Sequence, residues 1–314
     1  MEQIGNVHID YQRLAEAIVI ASGNFSPNSI SIEQFSDEYE KFIERNRSKA
    51  YLSSVGLSFD HLLKYFSPAR MVNSISFKDA EAFMSDLLKR CPKGCYVYYR
   101  TLKAAFNKGI EWNYLHNNPF LKIRLPKKQE VKPAYIQRDI LDRIQEKMTQ
   151  QFIKDISEIC FYSGLRLGEA VNLRWEDLDS NNKVMMIGNN KHNSKSRKQR
   201  SVPLHPKIQV IINRKRELLR SKKQEARGYL FEKVKNVPYT TDYVSKSFKK
   251  ACRAAGIEEN IHFHSLRHST ASLLVQGGKS LYVVQNILGH ASINTTQIYA
   301  HLQLETLREA IDSL

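Results

Sequence analysis

The sequence predicts a mainly α-helical protein of two domains, an all-helical first half and a mixed α/β second half with a small sheet. Three observations carry this. The chain has 314 residues, which fits two domains at roughly 100–200 residues each. Apolar residues recur at helical spacing through most of its length. A charged stretch bracketed by prolines, Leu125-Pro-Lys-Lys-Gln-Glu-Val-Lys-Pro133, separates the halves. Hydrophobic residues make up 42% of the chain, enough for globular cores.

Residues 1–30 read as an N-terminal extension with one short helix, His8 to Ala21, and then a Ser/Asn/Gly/Pro-rich connection. From Ser31 the pattern is helical. Ile32, Phe35, Tyr39, Phe42 and Ile43 follow at spacings of three, four, three and one, which puts them on one helix face. Further helices are expected over 50–66, 77–90 and 94–115, with Ser76 capping the second of these and Asp79 in its first turn. The helical domain therefore spans 31–124, and 125–133 is an interdomain linker. Helices are expected next over 137–149 and 151–162, where Gly164 breaks the chain, and again over 167–173. Val184 to Ile187 and Arg200 to Leu204 read as two strands of a hairpin with a long polar, basic tip. Helices over 207–222, 240–254, 265–276 and 280–288 follow, and a small amphipathic helix runs from His301 to Leu314.

Lys and Arg number 48 against 32 Asp and Glu, a net charge of +16, so a polyanion is the expected partner. Mean hydropathy is −0.46, and no apolar run reaches the ~20 residues of a membrane helix. Leu14 to Ala21 is short, contains Glu16 and lacks a preceding basic segment, so a cytoplasmic protein without a membrane partner is expected. The four cysteines, Cys91, Cys95, Cys160 and Cys252, lack the spacing of a zinc site and read as reduced thiols. There is no P-loop, and no nucleotide or metal cofactor is expected.

Individually, the chemistry-bearing residues say little. Arg166 in Ser-Gly-Leu-Arg-Leu-Gly-Glu could be a surface cap. His264 and Arg267 in His-Ser-Leu-Arg-His lie one helical turn apart and can point at one spot, yet a basic surface turn explains them equally. His290 in Leu-Gly-His could simply end a helix, and Tyr299 is one of 15 tyrosines. The ordered set is another matter: Gly-Leu-Arg-Leu-Gly-Glu, Lys-x-x-Lys-x-Arg-x-Val-Pro-Leu, His-x-Leu-Arg-His, Leu-Gly-His and Thr-Thr-x-x-Tyr-x-His. With these motifs, residues 133–312 resemble the phage integrase, or tyrosine recombinase, family. The first half is similar in size and character to that family's core-DNA-binding, SAM-like domain, though no sharp motif supports this.

The resemblance implies a site-specific DNA recombinase with a catalytic domain over 134–300. Arg166 and Arg267 match the family's arginine pair, whose forked guanidiniums would hold the non-bridging oxygens of a phosphodiester. Tyr299 would be the nucleophile, with His264 taking its proton, because a phenol of pKa ~10 needs help to attack. A hairpin lysine would protonate the leaving 5′ oxygen; counting back from Val202-Pro203-Leu204 gives Lys195, with Lys191 as the alternative. His290 would hydrogen-bond the phosphate and Glu169 would support Arg166 or a histidine. Cleavage would leave a 3′-phosphotyrosine and a free 5′-hydroxyl, so resealing needs neither external energy nor metal.

Lys191, Lys195, Arg197, Lys198 and Arg200 form a basic hairpin expected to contact double-stranded DNA, with both halves clamping the duplex. Arg214, Lys215, Arg216, Arg220, Lys222 and Lys223 read instead as a solvated helix face. In relatives the C-terminal helix docks on a neighbouring subunit. Here 301–314 would do so through Leu302, Leu304, Leu307, Ala310, Ile311 and Leu314, linking a homotetramer on two sites with inverted-repeat cores. A mobile-element or chromosomal recombinase is thus the leading reading. A recombinase-derived DNA-binding protein without catalysis and a type IB topoisomerase-like enzyme are the alternatives. The target sequence and the outcome, whether integration, excision, inversion or resolution, are not legible.

Overall fold

A computed structural model describes residues 30–127, 133–188, 199–303, 308 and 311–312. The expected helix over 8–21, most of the C-terminal helix and the hairpin-tip residues Lys191, Lys195, Arg197 and Lys198 lie outside the described residues. The chain divides into two compact units at Gln129/Glu130.

The first unit is helical. Helices α1 (Ile32–Asn46), α2 (Lys49–Tyr65), α3 (Phe77–Arg90) and α4 (Cys95–Glu111) enclose one core. Ser31 caps α1 in a reciprocal pair with Gln34, and Ser76 caps α3 with Asp79 in the same way, satisfying amides that the first helical turn leaves open. Ile32, Phe35, Tyr39 and Ile43 are buried on one face of α1. Phe35 sits among the edges of Phe59, Phe106, Trp112 and Tyr114, with ring centroids 5.5–6.4 Å away. Helix α4 stops earlier than its apolar pattern predicts. Asn113 turns left-handed (φ 59) and the Tyr114 amide closes back on the Gly109 carbonyl at 2.9 Å.

The second unit is built around a helix buried on nearly every side. Its elements are α5 (Arg138–Glu146), α6 (Gln151–Ser163), α7 (Leu167–Val171), β1 (Leu178–Asp179), β2 (Val184–Ile187), β3 (Arg200–Pro203) and α8 (Pro206–Ser221). Then come β4 (Glu232–Val234), β5 (Val237–Pro238), α9 (Thr241–Ala254), α10 (Ser265–Gln276) and α11 (Leu281–Leu288). Two 3₁₀ turns, Ile293–Thr295 and Gln297–Gln303, follow. Strands β1, β2 and β3 form one antiparallel sheet in that order, with Ile187 opposite Arg200. Leu178, Met185, Ile187 and Val202 are its buried positions and seat it on the core. The third strand and the β4–β5 hairpin go beyond what the sequence pattern predicts.

Helix α10 is the buried one. Thr270 donates to the Phe161 carbonyl of α6 at 2.8 Å, and the Ser269 hydroxyl accepts from the Ile136 amide at 2.8 Å. Its small polar residues thus satisfy neighbouring backbone and let elements close in on several sides. Helix α8 departs from a uniformly solvated basic face: Lys215 lies 4.5 Å over the Phe231 ring, and Arg214 pairs with buried Asp155.

Candidate active site

The site begins at a broken helix. Gly164 ends α6 in a left-handed turn (φ 66), and a Cβ there would come 2.5 Å from Leu288 Cδ2, so the turn needs glycine. Two residues on, Arg166 opens α7. Its amide donates to Glu169 Oε2 at 2.9 Å and its Nη1 to Oε1 at 3.1 Å. The Arg166 side chain stays 38% exposed, free at its outer edge to meet a ligand.

Glu169 is buried and shared. From β3, Arg200 donates Nη2 to Oε2 at 2.8 Å and Nη1 to Oε1 at 3.2 Å, while its Nε donates to the Ile287 carbonyl at 3.1 Å. Burial alone would raise the Glu169 pKa, but the Arg200 hydrogen bonds and charge, with help from Arg166, hold it down at about 2. This corrects one expectation. With a 10% exposed side chain, Arg200 is committed to Glu169 and the end of α11 rather than turned toward DNA. Gly289 makes room for it: a Cβ there would lie 2.7 Å from Arg200 Cδ, and φ is 68.

Arg267 extends from α10 into the same region. It is 3% exposed, with Nη1 donating to the Gly164 carbonyl at 2.7 Å and Nη2 to the Leu288 carbonyl at 2.8 Å. It therefore staples the Gly164 turn to the C-terminal carbonyls of α11, where a cation is favoured. Two of its five N–H donors are used in this way. Burial, then the Arg166 charge, lowers its pKa to about 10, so it stays charged at neutral pH.

The histidines feel these cations. His290 follows Gly289, and its Nδ1 lies 2.8 Å from the Thr296 hydroxyl. Burial and the nearby Arg267, Arg166 and Arg200 lower its pKa to about 4. His264 precedes α10. The residue is exposed, yet local desolvation of its ring and the Arg267 charge also lower its pKa.

Tyr299, in the second 3₁₀ turn, is 2% exposed, in a small core with Ala271, Val275, Val284 and Leu288. Its hydroxyl lies 2.6 Å from His268 Nδ1. Burial raises the phenol pKa to about 12, against the lowering pull of Arg267. The partner of the hydroxyl is thus His268 rather than the expected His264. The His264 ring stands edge-on to the His268 ring, 4.8 Å between centroids. His268 was legible in the sequence as the last residue of His-Ser-Leu-Arg-His, four residues after His264 and so on the same helix face. Thr296, fully buried against His290, carried no comparable signal.

Segments far apart in sequence thus converge: the Gly164 turn, the root of the β2–β3 hairpin, α10, the end of α11 and the Tyr299 turn. Arg166, Arg200 and Arg267 face a single buried carboxylate, leaving an excess of positive charge suited to a phosphate.

Known proteins resemble this chain in sequence and fold. The family described as the phage integrase family matches residues 136–306. A tyrosine recombinase of Thermosipho africanus is 28% identical over 298 residues, covering 90% of this chain and 99% of that protein. Tyrosine recombinase XerC of Halalkalibacterium halodurans is 31% identical over 221 residues, covering 67% of this chain and 71% of that protein. The integrase of transposon Tn1549, solved in complex with a circular intermediate DNA, superposes with a TM-score of 0.72 at 20% identity, over 91% of this chain and 99% of the other. The ordered motifs, the converging cations and these matches agree: the chain belongs to the phage integrase family, the tyrosine recombinases that cleave and rejoin DNA strands.

Proposed function

We propose that Tyr299 attacks a DNA phosphodiester held by Arg166 and Arg267, giving a 3′-phosphotyrosine and a free 5′-hydroxyl that can later reseal the strand. His264, exposed beside these arginines, reaches the same phosphate. A Thr296 hydroxyl donating to Nδ1 leaves His290 Nε2–H free to donate to a phosphate oxygen. Lys195, or Lys191 in its place, protonates the leaving 5′ oxygen. Glu169 holds Arg166, and Arg200 holds Glu169, so the hairpin root and the phosphate site move together.

The observation that carries this reading is the convergence of Arg166, Arg267 and His290 with the Tyr299–His268 pair from separate segments. At 2% exposure the Tyr299 hydroxyl meets a DNA phosphate only after the 297–303 segment shifts. DNA binding and subunit assembly supply that shift. The active form is a homotetramer on two inverted-repeat core sites, with residues 301–314 exchanged between subunits. The helical domain and the Lys191, Lys195, Arg197 and Lys198 hairpin clamp the duplex, so affinity falls steeply with salt. The protein works in the cytoplasm at the nucleoid, moving a mobile element or resolving chromosomal sites.

The test is a nicked suicide duplex cut from the binding site found by footprinting the DNA around the gene. Wild type should accumulate a covalent protein–DNA adduct and Tyr299→Phe none. An adduct that persists in Tyr299→Phe ends this assignment.

A further inference from the structure

We propose that His268 takes the Tyr299 proton when the phenol attacks, and returns it when the strand is resealed. This rests on Tyr299 being the nucleophile. The resemblance alone would give the proton to His264, but the geometry favours its neighbour one turn on. Tyr299 Oη and His268 Nδ1 are 2.6 Å apart, a distance for direct transfer with no water between. The acceptor is also well fixed. Helix α10 is tied to α6 through Thr270, to the Ile136 amide through Ser269, and to the Gly164 turn and α11 through Arg267. Neighbouring positions on one rigid helix thus address two atoms of a single reaction, Arg267 the phosphate and His268 the phenol.

His268 is also in the right protonation state. Burial, then the surrounding His264, His262, Arg267 and His290, lowers its pKa to about 4, so the ring is neutral near pH 7 and Nδ1 can accept. In the resting site the transfer is uphill, because the phenol lies near 12. An arriving phosphate anion offsets the Arg267 charge and raises the basicity of His268 as the nucleophile forms. In the step itself the Oη–H bond breaks and the Oη–P bond forms while the P–O5′ bond breaks. The phenol proton goes to His268 Nδ1, and the 5′ oxygen takes a proton from the hairpin lysine. Resealing reverses each transfer. His264 is left to donate to a phosphate oxygen.

Two measurements test this. On the suicide duplex, His268→Asn keeps an acceptor for the hydroxyl but no proton-accepting ring. It should slow adduct formation about 10²–10⁴-fold, the usual weight of a general base, with DNA binding retained. His268→Gly should be rescued by added imidazole, in proportion to its neutral form. Adduct formation by His268→Asn at the wild-type rate would overturn the proposal, as would failure of imidazole to rescue a folded His268→Gly. The second measurement needs no variant. Nitrogen-15 NMR of the DNA-free wild-type protein should show His268 protonated on Nε2, with Nδ1 accepting from Tyr299. A proton on Nδ1 would make His268 the donor and sink the idea. Tyr299→Phe run alongside separates the cases: an adduct there overturns the nucleophile assignment itself, whereas an adduct in His268→Asn alone overturns only this inference.

Discussion

Replacing Glu169 with Gln should unfold the catalytic unit far more readily while leaving its shape nearly intact. The carboxylate is buried, its side chain 3% exposed, and its partner Arg200 is 10% exposed. The substitution would remove the charge and set an amide N–H₂ against a guanidinium, both donors. Two routes give the magnitude. Breaking one partner of a buried pair costs about 3–5 kcal/mol, because the remaining charge is left uncompensated. Independently, a carboxyl drawn from its ordinary 4.5 to about 2 in the fold corresponds to ~3 kcal/mol, at ~1.4 kcal/mol per tenfold change in acidity. For a unit of this size, ~3 kcal/mol lowers the melting temperature by roughly 6–12 °C. The sign of the pH dependence follows from the depressed folded pKa. The contribution is full above about pH 4.5, is lost as pH falls toward about 2, and is absent below that. Urea denaturation of wild type and Glu169→Gln between pH 2.5 and 7 reads both effects. The two stability curves should separate by ~3 kcal/mol at pH 7 and converge in acid. A gap under ~0.5 kcal/mol at pH 7, or one that does not shrink in acid, would refute the assignment of a charged, buried Glu169.

Three further outcomes are expected. Gly164→Ala combines a left-handed φ of 66 with a Cβ 2.5 Å from Leu288 Cδ2, so it should cost at least ~2 kcal/mol by denaturant melt; a neutral variant would show the turn is not needed. Phe35→Ala empties the aromatic centre of the helical domain and should cost about 3–5 kcal/mol, read by urea denaturation of the full chain. His268 and His290 have folded pKa values of about 4 and unfolded values near 6.5, so the unfolded chain takes up more protons between these limits. Stability should therefore fall as pH drops from about 6.5 to 4, and His268→Asn and His290→Asn should each flatten that slope in a pH-resolved thermal melt.

Several elements were legible because their cause is local. Helix α1 follows from apolar residues at helical spacing after Ser31, α3 from Ser76 with Asp79, and the end of α6 from Gly164. Other features were hidden because nothing nearby marks them. Strands β1 and β5 have two residues each and β4 three, too short for alternation to register. The early stop of α4 turns on one left-handed asparagine, a conformation Asn tolerates without requiring.

The amino-acid order by itself determined the helical first half, the ordered run of Arg166, Arg267, His290 and Tyr299, and the positive charge that suits a polyanion. Each depends on residue type and short spacing alone. Which group each side chain meets was decided only in three dimensions. Arg200 read as one more cation in a basic hairpin until Glu169, 31 residues earlier, drew it inward. Tyr299 read as a nucleophile beside His264 until packing gave its hydroxyl to His268 and closed the small core over the ring. Arg267 bridges carbonyls 103 residues before it and 21 after. Such contacts depend on the approach of separate helices, and burial then sets their strength by removing the water that would screen them.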